Sequence, residues 1–333
     1  MTPVPETMRA WQSLAPGLSG LSTGVQPCPR AGEGQSLIRV EAAGLNFSDL
    51  LMIDDRYQVR PPRPFIPGQE VAGTVVATGD RCALRTGQRV AGKVKWGGFA
   101  QYAIMRGDMA IAVPEGVSAE TAVALPIAYT TAMVALTEST RLKAGEQVLV
   151  LAAAGGVGLA AVEIAHAHNA RVIAAAGGAD KCALARLHGA DEAIDYRAEG
   201  WSKTVKALTG SRGVDVIVDP VGGEVTQEAL RALAWEGRIL LVGFASGIIP
   251  AIPANRLLLN RAAAIGVYWN HDRDSEMLAR VAHKLTALLQ SGAIRPHVGD
   301  AFSFVQLPEA LTALAERRTT GKVILTLADQ DRP

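Results

Sequence analysis

The sequence predicts an α/β protein in which a doubly wound parallel-sheet domain is inserted into a mainly β domain. Three observations lead there. Short runs with apolar-polar alternation, separated by glycines, extend from Ser36 to Pro114, the period-two signature of strands in a sandwich or barrel. Near Ala119 the texture changes, and helical runs alternate with apolar strands, the rhythm of βαβ units and a parallel sheet. Beyond Trp269 the chain ends in PEALTALAER and the strand-like GKVILTL, too little for a domain, so this tail should dock back on the first one. The expected division is 1–120 plus 266–333 for the β domain and 121–265 for the insert. A length of 333 residues suits two domains at roughly 150 residues each.

The β elements are SLIRVEAAG, EVAGTVVATG, GQRVAGK, GGFAQYAIM and AIAVP, each bounded by glycine or proline. The strands of the insert are EQVLVLAAA, RVIAAA, VDVIVDP, GRILLVGF and AAAIGVYW. A helix is expected over 275–290, with Met277, Leu278, Val281, Leu285, Leu288 and Leu289 on one face, Ser275 as its cap and Gly292 as its stop.

Composition excludes several classes. Lys and Arg number 33 against 32 Asp and Glu, so no net field exists to hold a polyanion, and nucleic acid is not expected as a partner. The longest apolar stretch, 148–162, is broken by glycines and falls short of the ~18 residues of a membrane span, so no membrane partner is expected either. The N-terminus, MTPVPETMRAWQ, has neither a basic leader nor an apolar core, which makes a cytoplasmic location the default. Cys28, Cys82 and Cys182 are isolated thiols without C-x-x-C spacing, and suggest packing residues rather than a disulfide framework or a zinc site.

The strongest local signal is VLVLAAAGGVGLAAVEIAHAHNARVIAAA from Val148, which reads as strand, glycine turn, helix, strand. In a G-x-G-x-x-G frame it aligns as Ala153, Ala154, Gly155, Gly156, Val157, Gly158, with alanine in the first glycine position. Gly155 lets backbone approach a pyrophosphate, Gly158 lets helix pack on strand, and the helix N-terminus offers N–H groups and a positive dipole end. A tight turn without a ligand is the bland alternative, and the full ordered context weighs against it. The second strand runs out at Ala176, Gly177, Gly178 without the acid that would meet an NAD ribose hydroxyl. Lys181 instead stands in the first turn of the next helix, where a lone cation is unfavourable by ~0.3–1 kcal/mol and a bound anion reverses the sign. The 2′-phosphate of NADPH is the natural anion, with Gly177 leaving room and Tyr196 in IDYR a candidate hydroxyl or ring face; a solvated lysine beside Asp180 is the alternative.

These residues resemble the quinone oxidoreductase branch of the medium-chain dehydrogenase/reductase superfamily. The resemblance covers nearly the whole chain and rests on AAGLNFSDLLMIDDRY, PFIPGQEVAGTVVATG, GQRV, GGFAQYA, the AAAGGVG turn and HGADEAIDYR. It implies a GroES-like β domain, a Rossmann domain and an active cleft between them. It also implies no zinc: relatives that use the metal carry a Cys where this chain has Asn46 and Gly-His-Glu where it has Gly68, Gln69, Glu70, and their four-cysteine lobe is missing.

By the same resemblance Asn46 and Thr130 should lie near the nicotinamide, and Tyr57 near the substrate mouth. Val221 and Gly222 should share a rim with Phe244, Ala245 and Ser246 at the nicotinamide ribose, and Arg317 and Lys322 should reach back toward the cofactor. The implied chemistry is hydride transfer from NADPH to a small electrophilic quinone or enone. Asn46 would be a donor to the developing negative charge and Tyr57 a candidate proton donor, with solvent the alternative source and a packing aromatic its bland reading, while Trp269 is either a pocket wall or a core residue. An enoyl thioester or alkenal reductase, and a non-catalytic NADPH-binding protein, share almost every motif. A homodimer is the family habit.

Overall fold

The computed structural model describes residues 4–327, and its contacts divide the chain into two units, Met1–Ile127 with Pro296–Pro333, and Ala128–Arg295. The first unit is mainly β. A hairpin, Thr7–Ser13 with Leu21–Pro27, accompanies a seven-stranded sheet. Six strands follow one another as Val298–Ser303, Lys322–Thr326, Gln35–Leu45, Glu70–Thr78, Arg89–Lys93 and Ala110–Ala112, and Tyr102–Arg106 pairs with Gln35–Leu45. Ile38, Val40, Val71, Val75, Val90, Phe99 and Met105 make its core, joined from the tail by Phe304, Leu307 and Leu311. The tail therefore docks as the sequence suggests, and contributes a central strand as well as a helix.

Register decides what meets at one end of this sheet. Val323 pairs with Leu45, Ala43 with Val71, and Glu70 with Lys93, all antiparallel. The start of Lys322–Thr326, the end of Gln35–Leu45 and the start of Glu70–Thr78 thus lie side by side, which places Lys322, Asn46 and Glu70 together from three distant parts of the sequence.

The second unit is a six-stranded, all-parallel sheet. Strands beginning at Glu192, Arg171, Gln147, Val214, Leu233 and Ala263 lie in that spatial order, so the chain starts at the third strand, goes out to one edge and then crosses to the other. That reversal beside Gln147–Leu151 creates a topological switch point, the place where such sheets take ligands. The strands are buried on both faces, as their unbroken Val, Ile, Leu and Ala require.

Two expectations need correction. The second domain junction lies at Arg295/Pro296, about thirty residues later than the 265/266 boundary read from the sequence, and the first at 127/128. Strand Ala263–Gly266 completes the parallel sheet, the Trp269 indole N–H donates to Thr131 Oγ1 at 3.0 Å, and the Arg295 N–H donates to Glu163 at 2.9 Å, so everything up to Arg295 is tied to the second unit. An apolar helix face announces burial without saying against what. The helix itself runs His271–Gln290 with Asn270 as cap, accepting from the Asp272 N–H at 2.8 Å; it kinks at Asp274, just before Ser275, and buries Leu278, Val281 and Leu285.

The stretch Ala119–Ser139 is long and apolar enough to cross a membrane, which the sequence reading of 148–162 overlooked; 78% of its most apolar window is buried inside the fold. It is a composite. Pro126 contributes no N–H, and wide i→i+5 turns occupy Leu125–Tyr129 and Val134–Ser139 around the α turn Thr130–Met133.

Candidate functional site

The glycine turn of the second unit opens directly off the switch-point strand. Gln147–Leu151 ends, Ala152 takes a left-handed conformation at φ 47°, and the helix Gly156–Ala167 begins from Gly155 in extended geometry. The strain that a first glycine would relieve falls on Ala152, one residue before the Ala153 of the sequence frame, and costs about 1–2 kcal/mol. Ala153 and Ala154 are buried, the Ala153 N–H bonding the Ala175 carbonyl of the neighbouring strand at 3.1 Å. Gly155 carries no side chain to cap the helix, so the first-turn N–H groups of Gly156, Val157 and Gly158 have no intrahelical acceptor, the arrangement that holds a pyrophosphate. A Cβ on Gly155 would meet only the Ala152 carbonyl oxygen, at 3.4 Å. One on Gly158 would lie 2.2 Å from that oxygen and 2.8 Å from the Ala153 Cα, so its missing side chain is what seats helix on strand.

The next strand, Arg171–Ala176, leads into Gly177 and then Gly178 at φ 104°, the cap of helix Ala179–Leu187. Lys181 occupies the first turn of that helix, half-buried. Tyr196 borders the turn, its Cε2 3.8 Å from where a Gly177 Cβ would be. A second cation, Arg197, lies across the same turn with Nη2 3.0 Å from the corresponding Gly178 position. Asp195 bonds it at 2.6 Å, and these Arg197 hydrogen bonds hold the Asp195 carboxyl down at about 2. Sequence reading stopped at Tyr196 and missed Arg197; the signal available was a second basic residue at the end of the third strand of a βαβαβ unit.

The predicted rim forms as expected, around a residue not predicted. Asp219, buried at the end of Val214–Asp219, accepts the Val221 and Gly222 N–H groups at 2.8 and 3.0 Å and the Thr226 hydroxyl at 2.5 Å. The Ala245 N–H donates to the Pro220 carbonyl and the Ser246 N–H to the Val221 carbonyl. A Cβ on Gly222 would stand 3.1 Å from the Phe244 ring and 3.3 Å from Ser246 Oγ. Val221, Gly222, Phe244, Ala245 and Ser246 are thus one knitted ledge at the carboxyl ends of two adjacent strands. Thr130 is buried in the same unit.

Trp269 is a core residue rather than a pocket wall, 8% exposed and bonded to Thr131. His188, from the HGADEAIDYR motif, pairs with the buried Glu163 at 2.6 Å, and Glu163 also accepts the Tyr129 hydroxyl at 2.5 Å. That motif therefore braces the unit through a buried polar cluster.

In the first unit Asn46 and Lys322 share one network. The Lys322 ammonium, 3% exposed, donates to Asn46 Oδ1 at 2.8 Å and forms an ion pair with the fully buried Glu70. Asn46 Nδ2 donates to Glu70 Oε2 at 3.0 Å and, weakly at 3.5 Å, to the Gly44 carbonyl. The Ile127 N–H bonds the other Glu70 oxygen at 2.6 Å. Gly44 permits this: a Cβ there would come within 2.6 Å of both Glu70 Oε2 and Lys322 Cε. Two expectations change. Lys322 is committed inside the β unit rather than reaching out from the tail, and Asn46 has one amide hydrogen firmly spent, leaving only the weakly held one to offer an acceptor.

Gln69 accepts the Ser48 hydroxyl at 2.6 Å. Among the described residues no group of three His, Cys, Asp or Glu side chains is arranged to hold a metal. Tyr57 lies half-buried on the loop after helix Phe47–Ile53, and Arg317 is exposed at φ 58° where helix Leu307–Ala315 ends. A groove of about 430 Å³ elsewhere in the unit, lined by Pro61, Phe65, Trp96 and Tyr102, contains none of the site residues named above, and we do not assign it to the acceptor.

Two family descriptions match: "Alcohol dehydrogenase GroES-like domain" over residues 32–115, and "Zinc-binding dehydrogenase" over 156–286. The chain is 39% identical over 307 residues to "Quinone oxidoreductase-like protein 2" of Mus musculus, covering 91% of this chain and 87% of that one. It belongs to the quinone oxidoreductase branch of the medium-chain dehydrogenase/reductase superfamily. Within this branch it resembles the Thermus thermophilus quinone oxidoreductase, solved alone and with NADPH (TM-score 0.82, 36% identity, 96% of this chain and 100% of that one). A mycobacterial protein solved with NADPH is similar too, with a TM-score of 0.90 at 32% identity over 96% of this chain and all of that one. The GroES-like and Rossmann folds expected from the motifs are those observed. The second description names zinc, yet its matched span excludes both Asn46 and Gln69.

Proposed function

We propose that this protein passes hydride from NADPH to a quinone or to the activated alkene of an enone, without zinc, as a cytoplasmic homodimer. The chain is an NADPH-dependent oxidoreductase. The observation that carries the cofactor reading is the turn at Gly177–Gly178, which has no carboxylate at the end of its own strand and is bordered by Lys181, Tyr196 and Arg197. The names of the mouse relative and the Thermus enzyme support the acceptor class. Bound NADPH supplies the hydride; the protein's contribution is to orient it and hold donors near the acceptor oxygen. First-turn N–H groups at Gly156–Gly158 would hold the pyrophosphate, and the Asp219-organised ledge would support the nicotinamide ribose. Asn46 and Gln69 have their amides engaged by protein groups, which supports the zinc-free reading.

Lys181→Ala and Arg197→Ala should each weaken NADPH ~10-fold or more while changing NADH less than ~2-fold, since a charge-assisted bond to the 2′-phosphate is lost only where that phosphate exists. Titration of protein fluorescence with both nucleotides reads this. Equal losses for the two nucleotides would remove the residue from the phosphate site.

The whole reading is tested by following oxidation of NADPH and NADH, after chelator treatment, with quinones, enones, alkenals and enoyl thioesters. Quinones or enones should be reduced, with NADPH preferred and no loss to the chelator. Tight NADPH binding with no acceptor turned over, or activity restored by zinc, would count against it. The dimer rests on strand Ala263–Gly266, which ends the sheet with one edge unpaired and has exposed Leu258, Leu259 and Tyr268 around it. A monomer in sedimentation would remove that part.

A further inference from the structure

The turn at Gly177–Gly178 is met by an anion of the protein's own. Strand Glu192–Asp195 lies parallel to Arg171–Ala176 with Asp195 opposite Ala176, so the last residue of one strand comes up beside the turn that ends the other. The Asp195 carboxylate holds Arg197 by one edge of its guanidinium. Nε donates to Oδ1 at 2.9 Å and to Oδ2 at 3.1 Å, and Nη2 donates to Oδ2 at 2.6 Å. The Arg197 backbone N–H adds a bond to Oδ1 at 3.0 Å, and the Gly178 N–H bonds the same carboxylate.

Which nitrogen is engaged matters. Over Gly178 the guanidinium comes closest with Nη2, 3.0 Å from where a Cβ would be, against 3.6 Å for Nη1. That nearest nitrogen is the one bonded to Asp195. A phosphate in the turn would therefore meet two converging donors, the Gly178 N–H and Arg197 Nη2, with a carboxylate on both. Two anions on one set of donors repel each other, and a phosphate monoester carrying about two negative charges gains most when it has the cation to itself.

We propose that Asp195 competes with the 2′-phosphate of NADPH for Arg197 and the Gly178 N–H, and so sets how far NADPH is preferred over NADH; this rests on the reading above that the turn takes that phosphate. NADH brings no anion to this place and leaves the pair as it is. NADPH must take Arg197 from the carboxylate or share it, and its affinity is lowered accordingly. Selectivity at the turn is then the balance of two attracting cations, Lys181 and Arg197, against one opposing carboxylate.

Asp195→Asn keeps the size of the side chain and an acceptor for the Gly178 N–H while removing the charge. By calorimetry it should bind NADPH and adenosine 2′,5′-bisphosphate ~5-fold more tightly than wild type and change NADH and 5′-AMP less than ~2-fold; the gain is moderate because Asp195 is 35% and Arg197 64% exposed, and water screens the pair. Asp195→Ser, which lacks both the charge and the reach, should gain likewise. In an Arg197→Ala background the same Asp195→Asn change should bring less than ~2-fold, since the carboxylate acts through the guanidinium. Weaker NADPH binding by Asp195→Asn would show that the carboxylate holds Arg197 in place for the phosphate, weaker NADH binding that it reads the ribose, and an unchanged ratio of the two that it does neither; each overturns the proposal. So does a gain that persists without Arg197. The parent reading fails separately, if Lys181→Ala and Arg197→Ala weaken the two nucleotides equally.

Discussion

Lys322→Met should destabilise the protein by about 3–5 kcal/mol, the usual consequence of removing one partner from a buried ion pair. Glu70 is fully buried and Lys322 is 3% exposed, so water cannot replace the ammonium when it is lost. Glu70 would keep the Asn46 amide and the Ile127 N–H, two neutral donors, and no cation bonded to it. Methionine fills much of the vacated volume, which separates the charge from the packing. Glu70→Gln combined with Lys322→Met should recover most of the loss, because a neutral pair of similar shape leaves no buried charge unpaired. Denaturant midpoints of the wild type, both single variants and the double variant form the cycle. A single-variant loss below ~1 kcal/mol, or a double variant no better than Lys322→Met, would show that the pair is not what holds this end of the sheet.

Gly155→Ala and Gly158→Ala should fail in different ways although they lie three residues apart. At Gly158 the new methyl would sit 2.2 Å from the Ala152 carbonyl oxygen and 2.8 Å from the Ala153 Cα; these are backbone atoms of the turn, and no side chain can rotate away. Helix Gly156–Ala167 would have to lift off the strand, costing on the order of 3 kcal/mol or more by overpacking, and cofactor affinity would fall with it. At Gly155 the methyl meets only the same oxygen, at 3.4 Å, so the fold should hold with a Tm close to wild type. NADPH affinity should nevertheless drop ~100-fold, because the methyl stands where a pyrophosphate must approach the helix N-terminus. Thermal unfolding and nucleotide titration of the two variants decide this. Equal loss of Tm in both, or undiminished NADPH binding by Gly155→Ala, would count against the assignment of the turn.

Much of the site was readable locally, and the reason differs from residue to residue. Gly155, Gly158 and Gly177 were legible because close backbone approach and tight packing of helix on strand select glycine, and the flanking strand and helix periods say where the turn is. The ledge of Val221, Gly222, Phe244, Ala245 and Ser246 was legible as the ends of two strands, since strands of a parallel sheet deliver their carboxyl ends to one rim. Lys181 was visible as a cation at the wrong end of a helix. Arg197, just after strand Glu192–Asp195, and Asp219, the last residue of Val214–Asp219, were within reach of the same reasoning, and were missed because a lone charge at a strand end has an ordinary solvated explanation.

The sequence by itself determined the two fold types, their order along the chain, the position of the nucleotide turn and the absence of an acid after the second strand. Each is a short-range property, written in a period, a glycine or a charge within a few residues. Only the tertiary structure decided that Asn46, Glu70 and Lys322 meet, that Trp269 is core, and that the helix His271–Gln290 belongs to the second unit. Those outcomes depend on which strand lies beside which and in what register. A charge on a half-buried strand reads alike whether its partner is water or an ammonium supplied from hundreds of residues away.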